Sequence, residues 1–85
     1  MHIRYAGIIT RKDSPKVHQL GRELAAWYQE RSIKAELDRI DPKMDMLTIL
    51  GGDGTLLHVA DQAAHYGIPV VGINLGESFL VMIPA

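Results

Sequence analysis

Met46-Leu47-Thr48-Ile49-Leu50, running directly into Gly51-Gly52-Asp53-Gly54-Thr55, decides the fold. The first five residues form a short, continuous apolar run of the kind found in strands buried on both faces of a parallel sheet. In the next five, three glycines in four positions let the backbone turn sharply and come close to a ligand, because no Cβ stands in the way. From Leu56 to Tyr66 the period becomes helical, with Leu56, Val59, Ala60 and Ala63 on one face and His58, Asp61, Gln62 and His65 on the other. A helix start leaves unpaired N–H groups and a partial positive charge, which together suit a phosphate. A carboxylate, Asp53, stands inside that phosphate-friendly turn.

Upstream, Ile3 to Thr10 reads as a strand, its Ile8-Ile9 pair suited to burial. Ser14 or Asp13 then caps a helix whose first position takes Pro15, where the missing N–H costs nothing. From Lys16 to Arg31, the residues Val17, Leu20, Gly21, Leu24, Trp27 and Tyr28 share one face. This spacing makes Trp27 and Tyr28 core residues rather than a ligand-stacking pair. Gly21 within the stripe marks close approach to a sheet. Ser32 to Leu37 is a half-polar strand suited to a sheet edge. Asp38 to Asp45 contains the turn signal Asp41-Pro42 and is too short for a crossover helix. Downstream, Gly67 ends the second helix. Pro69 to Asn74 is a further strand, with Gly72 marking a close backbone approach.

The order strand, helix, strand, strand, helix, strand describes an α/β protein: a small Rossmann-like three-layer domain on a parallel sheet with right-handed crossovers. The 85 residues make one domain, which buries roughly 60–65 % of its unfolded surface. A net charge of −1 gives no bulk electrostatic case for nucleic acid. The chain lacks cysteine, a membrane-length apolar run and a signal-peptide layout, so a cytoplasmic location fits and no membrane partner is expected. In such sheets ligands bind beyond the carboxyl ends of the strands. Arg11-Lys12, the glycine turn and Asn74-Leu75-Gly76 all follow strand ends and are expected to meet at one rim.

The turn is not a Walker loop, since no Lys follows Gly54, and it is not a dinucleotide fingerprint, since Leu57 occupies the third glycine position. Taken alone, it also fits a plain strand-to-helix connection with Asp53 or Thr55 as the cap. Together with Val71-Gly72-Ile73-Asn74-Leu75-Gly76, however, Gly-Gly-Asp-Gly-Thr resembles the N-terminal domain of the NAD kinase family, a fold akin to that of the phosphofructokinases. The pentapeptide is shared with diacylglycerol-type lipid kinases and, in near form, with sugar kinases. Gly-Ile-Asn-Leu-Gly favours NAD kinase.

The resemblance implies transfer of a phosphoryl group from ATP or polyphosphate to the 2′-hydroxyl of the NAD adenosine ribose, giving NADP, with Mg²⁺ accompanying the ATP. It implies Asp53 as the general base. It also implies Gly51, Gly52, Gly54, Thr55, His58, Asn74 and Phe79 as nucleotide contacts, with Phe79 beside an adenine. Arg11 and Lys12, by their place at the first strand end, suit either phosphates or a solvated loop pair. His58, Asp61 and His65 imitate a metal site along one helix face, but they make up the whole polar face, and no protein-bound metal is expected there. After Gly76 the chain departs from the family pattern: Glu77-Ser78 leads into the apolar run Phe79-Leu80-Val81-Met82-Ile83. By the resemblance, a β-rich second domain is absent, and the isolated chain is expected to show little or no activity. The apolar run is expected to pack on its own sheet or to form homo-oligomers. A lipid- or sugar-kinase half and a non-enzymatic α/β module are the alternatives.

Overall fold

A computed structural model describes residues 3–11, 14–51, 53–74 and 79–83. The elements are β1 (Tyr5–Thr10), α1 (Pro15–Glu30), β2 (Lys34–Leu37), β3 (Met46–Gly51), α2 (Asp53–Tyr66), β4 (Val70–Asn74) and β5 (Phe79–Ile83). The strands form one sheet in the order β2-β1-β3-β4-β5. β1 through β4 are mutually parallel, as the alternation of elements predicts, with the half-polar β2 at an edge and the apolar β3 in the centre. The apolar run Phe79–Ile83 adds an antiparallel fifth strand alongside β4. It packs on its own sheet.

Local chemistry explains the helix boundaries. The Ser14 hydroxyl accepts the Val17 N–H at 3.3 Å and caps α1, with Pro15 in its first turn. At the other end Ser32 lies in the left-handed region at φ 62°, its N–H donating to the Gln29 carbonyl while that of Ile33 donates to Tyr28. This is a glycine-type helix ending made with serine. α2 begins at Asp53, three residues earlier than the apolar spacing from Leu56 implies, so Asp53 is the first helical residue rather than part of a loop.

The pleat sends alternate β3 residues to opposite faces. Leu47 and Ile49 pack with Val59, Ala63 and Met44 on the α2 side. Met46 and Leu50 pack with Ala25 and Tyr28 on the α1 side. Three layers result. The link from β2 to β3 crosses without a helix, and Ile40 and Met44 cover the sheet in its place. Met44 fits because Gly7 lies beneath it: a Cβ there would stand 2.6 Å from the Met44 sulfur. Gly21 likewise lets α1 approach β1, since a Cβ would stand 2.5 Å from Thr10 Cγ2.

One expectation is corrected. Trp27 is not core but 47 % exposed, and Leu20 is 39 % exposed, whereas Tyr28 is buried. α1 packs against β1, β2 and β3, and the strip of sheet it covers is narrower than the apolar stripe on the helix. Trp27 is partnered on the surface instead: the Arg31 guanidinium stands 3.7 Å over its ring.

Candidate functional site

Strand order places the site. The chain leaves β1 for α1 on one face of the sheet and leaves β3 for α2 on the other. The carboxyl ends of β1 and β3 therefore flank the topological switch point, where α/β sheets bind ligands. Register then aligns the residues singled out from the sequence. Thr10 pairs with Leu50, Gly51 with Asn74, and Asn74 with Phe79. Gly51, Asn74 and Phe79 thus form one row across three neighbouring strands at the rim. Asp53, Gly54 and Thr55 follow as the first turn of α2, where backbone N–H groups lack intrahelical acceptors. Gly52 and Lys12, also candidates, lie outside the described residues.

On the β1 side of the switch point stands a polar cluster that motif reading missed. Asp38, directly after β2, has φ 55°. Its carboxylate accepts the Thr10 N–H at 2.8 Å and the Thr10 hydroxyl at 3.0 Å, and lies 3.5 Å from His18 Nδ1. His18 Nδ1 is also 3.2 Å from the Thr10 hydroxyl. Non-glycine residues with positive φ gather at functional sites because the surroundings must hold them there. The signal available in the sequence was an acid immediately after the second strand of a βαβ unit, the position of the ribose-binding acid in dinucleotide folds.

Asp38 opens onto a cleft of about 340 Å³ between α2 and the 38–41 segment. Ile9, Ile40 and Val59 line it with apolar surface, and Thr10, Asp38, His58 and Gln62 supply the polar groups. His58 is exposed and lies on the cleft. His65 is turned to other use, meeting the Tyr66 ring edge-on at 5.6 Å. Among the described residues, no helix is long and apolar enough to cross a membrane.

Residues 30–80 match the model of the ATP-NAD kinase N-terminal domain. An NAD kinase of Heliobacterium modesticaldum is 38 % identical over 88 residues, spanning 84 % of this chain and 31 % of that protein. An NAD kinase of Nitratidesulfovibrio vulgaris is 33 % identical, spanning 100 % of this chain and 32 % of its own length. The chain therefore spans about a third of the length of the curated relatives it matches. Among solved structures, the heterocyclase TruD superposes with a TM-score of 0.63 at 17 % identity, over 85 % of this chain and 10 % of that one. That likeness is one of fold.

Proposed function

The chain belongs to the ATP-NAD kinase family, and on that premise we propose that it is the part of such a kinase that carries the catalytic base, Asp53. The observation that carries this reading is the row Gly51–Asn74–Phe79 at the sheet rim, with Asp53 opening α2 beside it. The acceptor is the 2′-hydroxyl of the NAD adenosine ribose and the donor is ATP or polyphosphate. Asp53 takes the proton from the hydroxyl as it attacks the donor's terminal phosphorus, the phosphoanhydride bond breaks and ADP or the shortened polyphosphate leaves; general-base catalysis of this kind contributes roughly 10²–10⁴-fold.

The N–H groups of α2's first turn, which have no acceptor within the helix, favour bound phosphates at this position. Phosphoryl transfer depends on positioning and charge neutralisation more than on covalent help from the protein. Mg²⁺ bound with the triphosphate supplies that neutralisation. Asp53 would be the residue of this turn to meet such a metal, which would relieve the repulsion between its carboxylate and the phosphates.

The test is a coupled assay for NADP, run on the chain and on Asp53→Asn, alongside amide shifts at Gly51, Asp53 and Asn74 during titration with NAD and with Mg·ATP. The expected result is that both nucleotides move these amides and that Asp53→Asn removes any NADP formation while leaving the shifts. NADP formation undiminished by Asp53→Asn sinks the base assignment. Silence at Gly51 and Asn74 with both nucleotides sinks the site.

A further inference from the structure

We propose that the outer edge of β5 docks a second copy of this chain, the two β5 strands pairing antiparallel about Val81 so that two five-stranded sheets join into one.

Backbone hydrogen bonding picks out the edge. β5 closes one end of the sheet and, among the described residues, pairs only on its β4 side, from Val70↔Ile83 to Asn74↔Phe79. In an antiparallel pair, alternate residues turn their N–H and C=O groups toward the neighbour and the others turn theirs outward. That outward row calls for an extended strand, which alone matches its spacing of donors and acceptors. Charges, proline and glycine are the usual means of blocking an edge, and Phe79-Leu80-Val81-Met82-Ile83 has none of them.

The opposite edge decides which strand fits. β2 has only four residues, with Ser32 two positions before it and Asp38 directly after it in the left-handed region. Lys34 is exposed, and Glu36 accepts the Tyr5 hydroxyl and stands 3.5 Å from Arg39. A neutral strand finds no charge partner there, and the bends at both ends limit its reach. Pairing of β5 with β2 of the next copy would also repeat without closing. Pairing of β5 with β5 closes at two copies. No like charges meet across it, and the five residues overlap in full when Val81 lies opposite its own copy. The match to the family's domain ends at residue 80, so this edge lies largely outside the segment that defines the relationship. The two-fold axis stands perpendicular to the sheet. It turns the carboxyl ends of the two β3 strands in opposite directions, and each rim stays open.

The experiment is sedimentation equilibrium on a dilution series of the 85-residue chain, with amide exchange followed by NMR. The mass is expected to rise with concentration toward twice the 9.4 kDa of one chain and no further. Exchange is expected to slow with concentration at alternate positions of 79–83 and to stay constant at those bonded to β4. Val81→Lys and Val81→Glu are each expected to hold the single-chain mass, because like charges meet at the axis, and a one-to-one mixture to recover the doubled mass. Gly72, opposite Val81 in β4, has no side chain to oppose the new ones.

A single-chain mass at every concentration up to about 1 mM, the weak limit of specific association, overturns the proposal. Growth past two copies overturns it in favour of open-ended pairing. Folded variants that fail to recover the doubled mass on mixing overturn the β5–β5 register. If either variant loses the circular-dichroism spectrum of the parent, exchange in the parent decides alone: rates independent of concentration at every β5 amide overturn the pairing.

Discussion

The Asp38 carboxylate takes both donors of Thr10, the N–H at 2.8 Å and the hydroxyl at 3.0 Å, and so ties the carboxyl end of β2 to that of β1. Thr10 is buried, so neither donor has water as a ready substitute. A double-mutant cycle of Thr10→Val and Asp38→Gly isolates the hydroxyl–carboxylate part of the tie, since valine keeps the backbone N–H. Glycine also relieves the positive φ at position 38, but that gain occurs in both arms of the cycle and cancels. A coupling energy of about 0.5–3 kcal/mol is expected from urea denaturation. Additive losses would mean that the two residues act separately.

Ser32 holds a glycine's place at the end of α1, with φ 62°. Left-handed backbone costs an L-residue about 1–2 kcal/mol, and serine pays it here with its N–H bonded to Gln29. Ser32→Gly removes that strain but loosens the unfolded chain, which offsets part of the gain. The net expectation is stabilisation by about 0.5–1 kcal/mol, a rise in Tm of roughly 2–8 °C. Thermal denaturation followed by circular dichroism checks it, and a lowered Tm would contradict the geometry.

The Tyr5 hydroxyl donates to Glu36, and the cost of breaking that bond, with partial burial and the nearby Glu36 charge, pushes the phenol up to about 12. The folded value exceeds the unfolded one. The stabilisation is therefore fully present below a pH of about 10 and is lost as pH rises through about 12. Tyrosinate absorbance should show one late step that Tyr5→Phe removes, together with part of the alkaline loss of stability. A variant whose last titration step is unchanged would place the Tyr5 proton elsewhere.

The sequence made the parallel core legible because β3 is apolar at nearly every position and the helical periods on either side are clear. It misjudged Trp27 because hydropathy marks a stripe on a helix but not how much of that stripe the sheet is wide enough to cover. It missed Asp38 for another reason: the residue gains its role from a strand register that sets it beside Thr10, a relationship 28 residues apart in the chain. That Gly51 and Asn74 meet at one rim was legible because each closes a strand, and parallel pairing brings such ends together.

Trp27 and Tyr28 offer a direct check on that correction. Trp27→Ala removes an exposed ring and its Arg31 contact, a loss of about 0.5–1 kcal/mol. Tyr28→Ala empties a core position and is expected to cost about 3–5 kcal/mol, the range for large aromatic truncations. Acrylamide should quench Trp27 fluorescence readily in the folded chain. Equal costs for the two substitutions would restore Trp27 to the core.

Gly21 joins packing to the site. Alanine in its place gains about 1 kcal/mol of helix propensity. Its Cβ, however, would stand 2.5 Å from Thr10 Cγ2 and 3.1 Å from Leu37 Cδ2. Leu37 can adjust at the end of a flexible side chain. Thr10 cannot do so freely: it is β-branched, and rotating its methyl away also swings its hydroxyl off Asp38. Overpacking typically costs about 1–3 kcal/mol, so the clash outweighs the propensity gain. Gly21→Ala is therefore expected to destabilise by up to about 2 kcal/mol in urea denaturation. In the background of Thr10→Val the hydroxyl bond is already gone, and part of that cost should disappear. If Gly21→Ala stabilises the chain as it would in an exposed helix, α1 does not sit this close to β1, and the frame holding Asp38 is looser than the register implies.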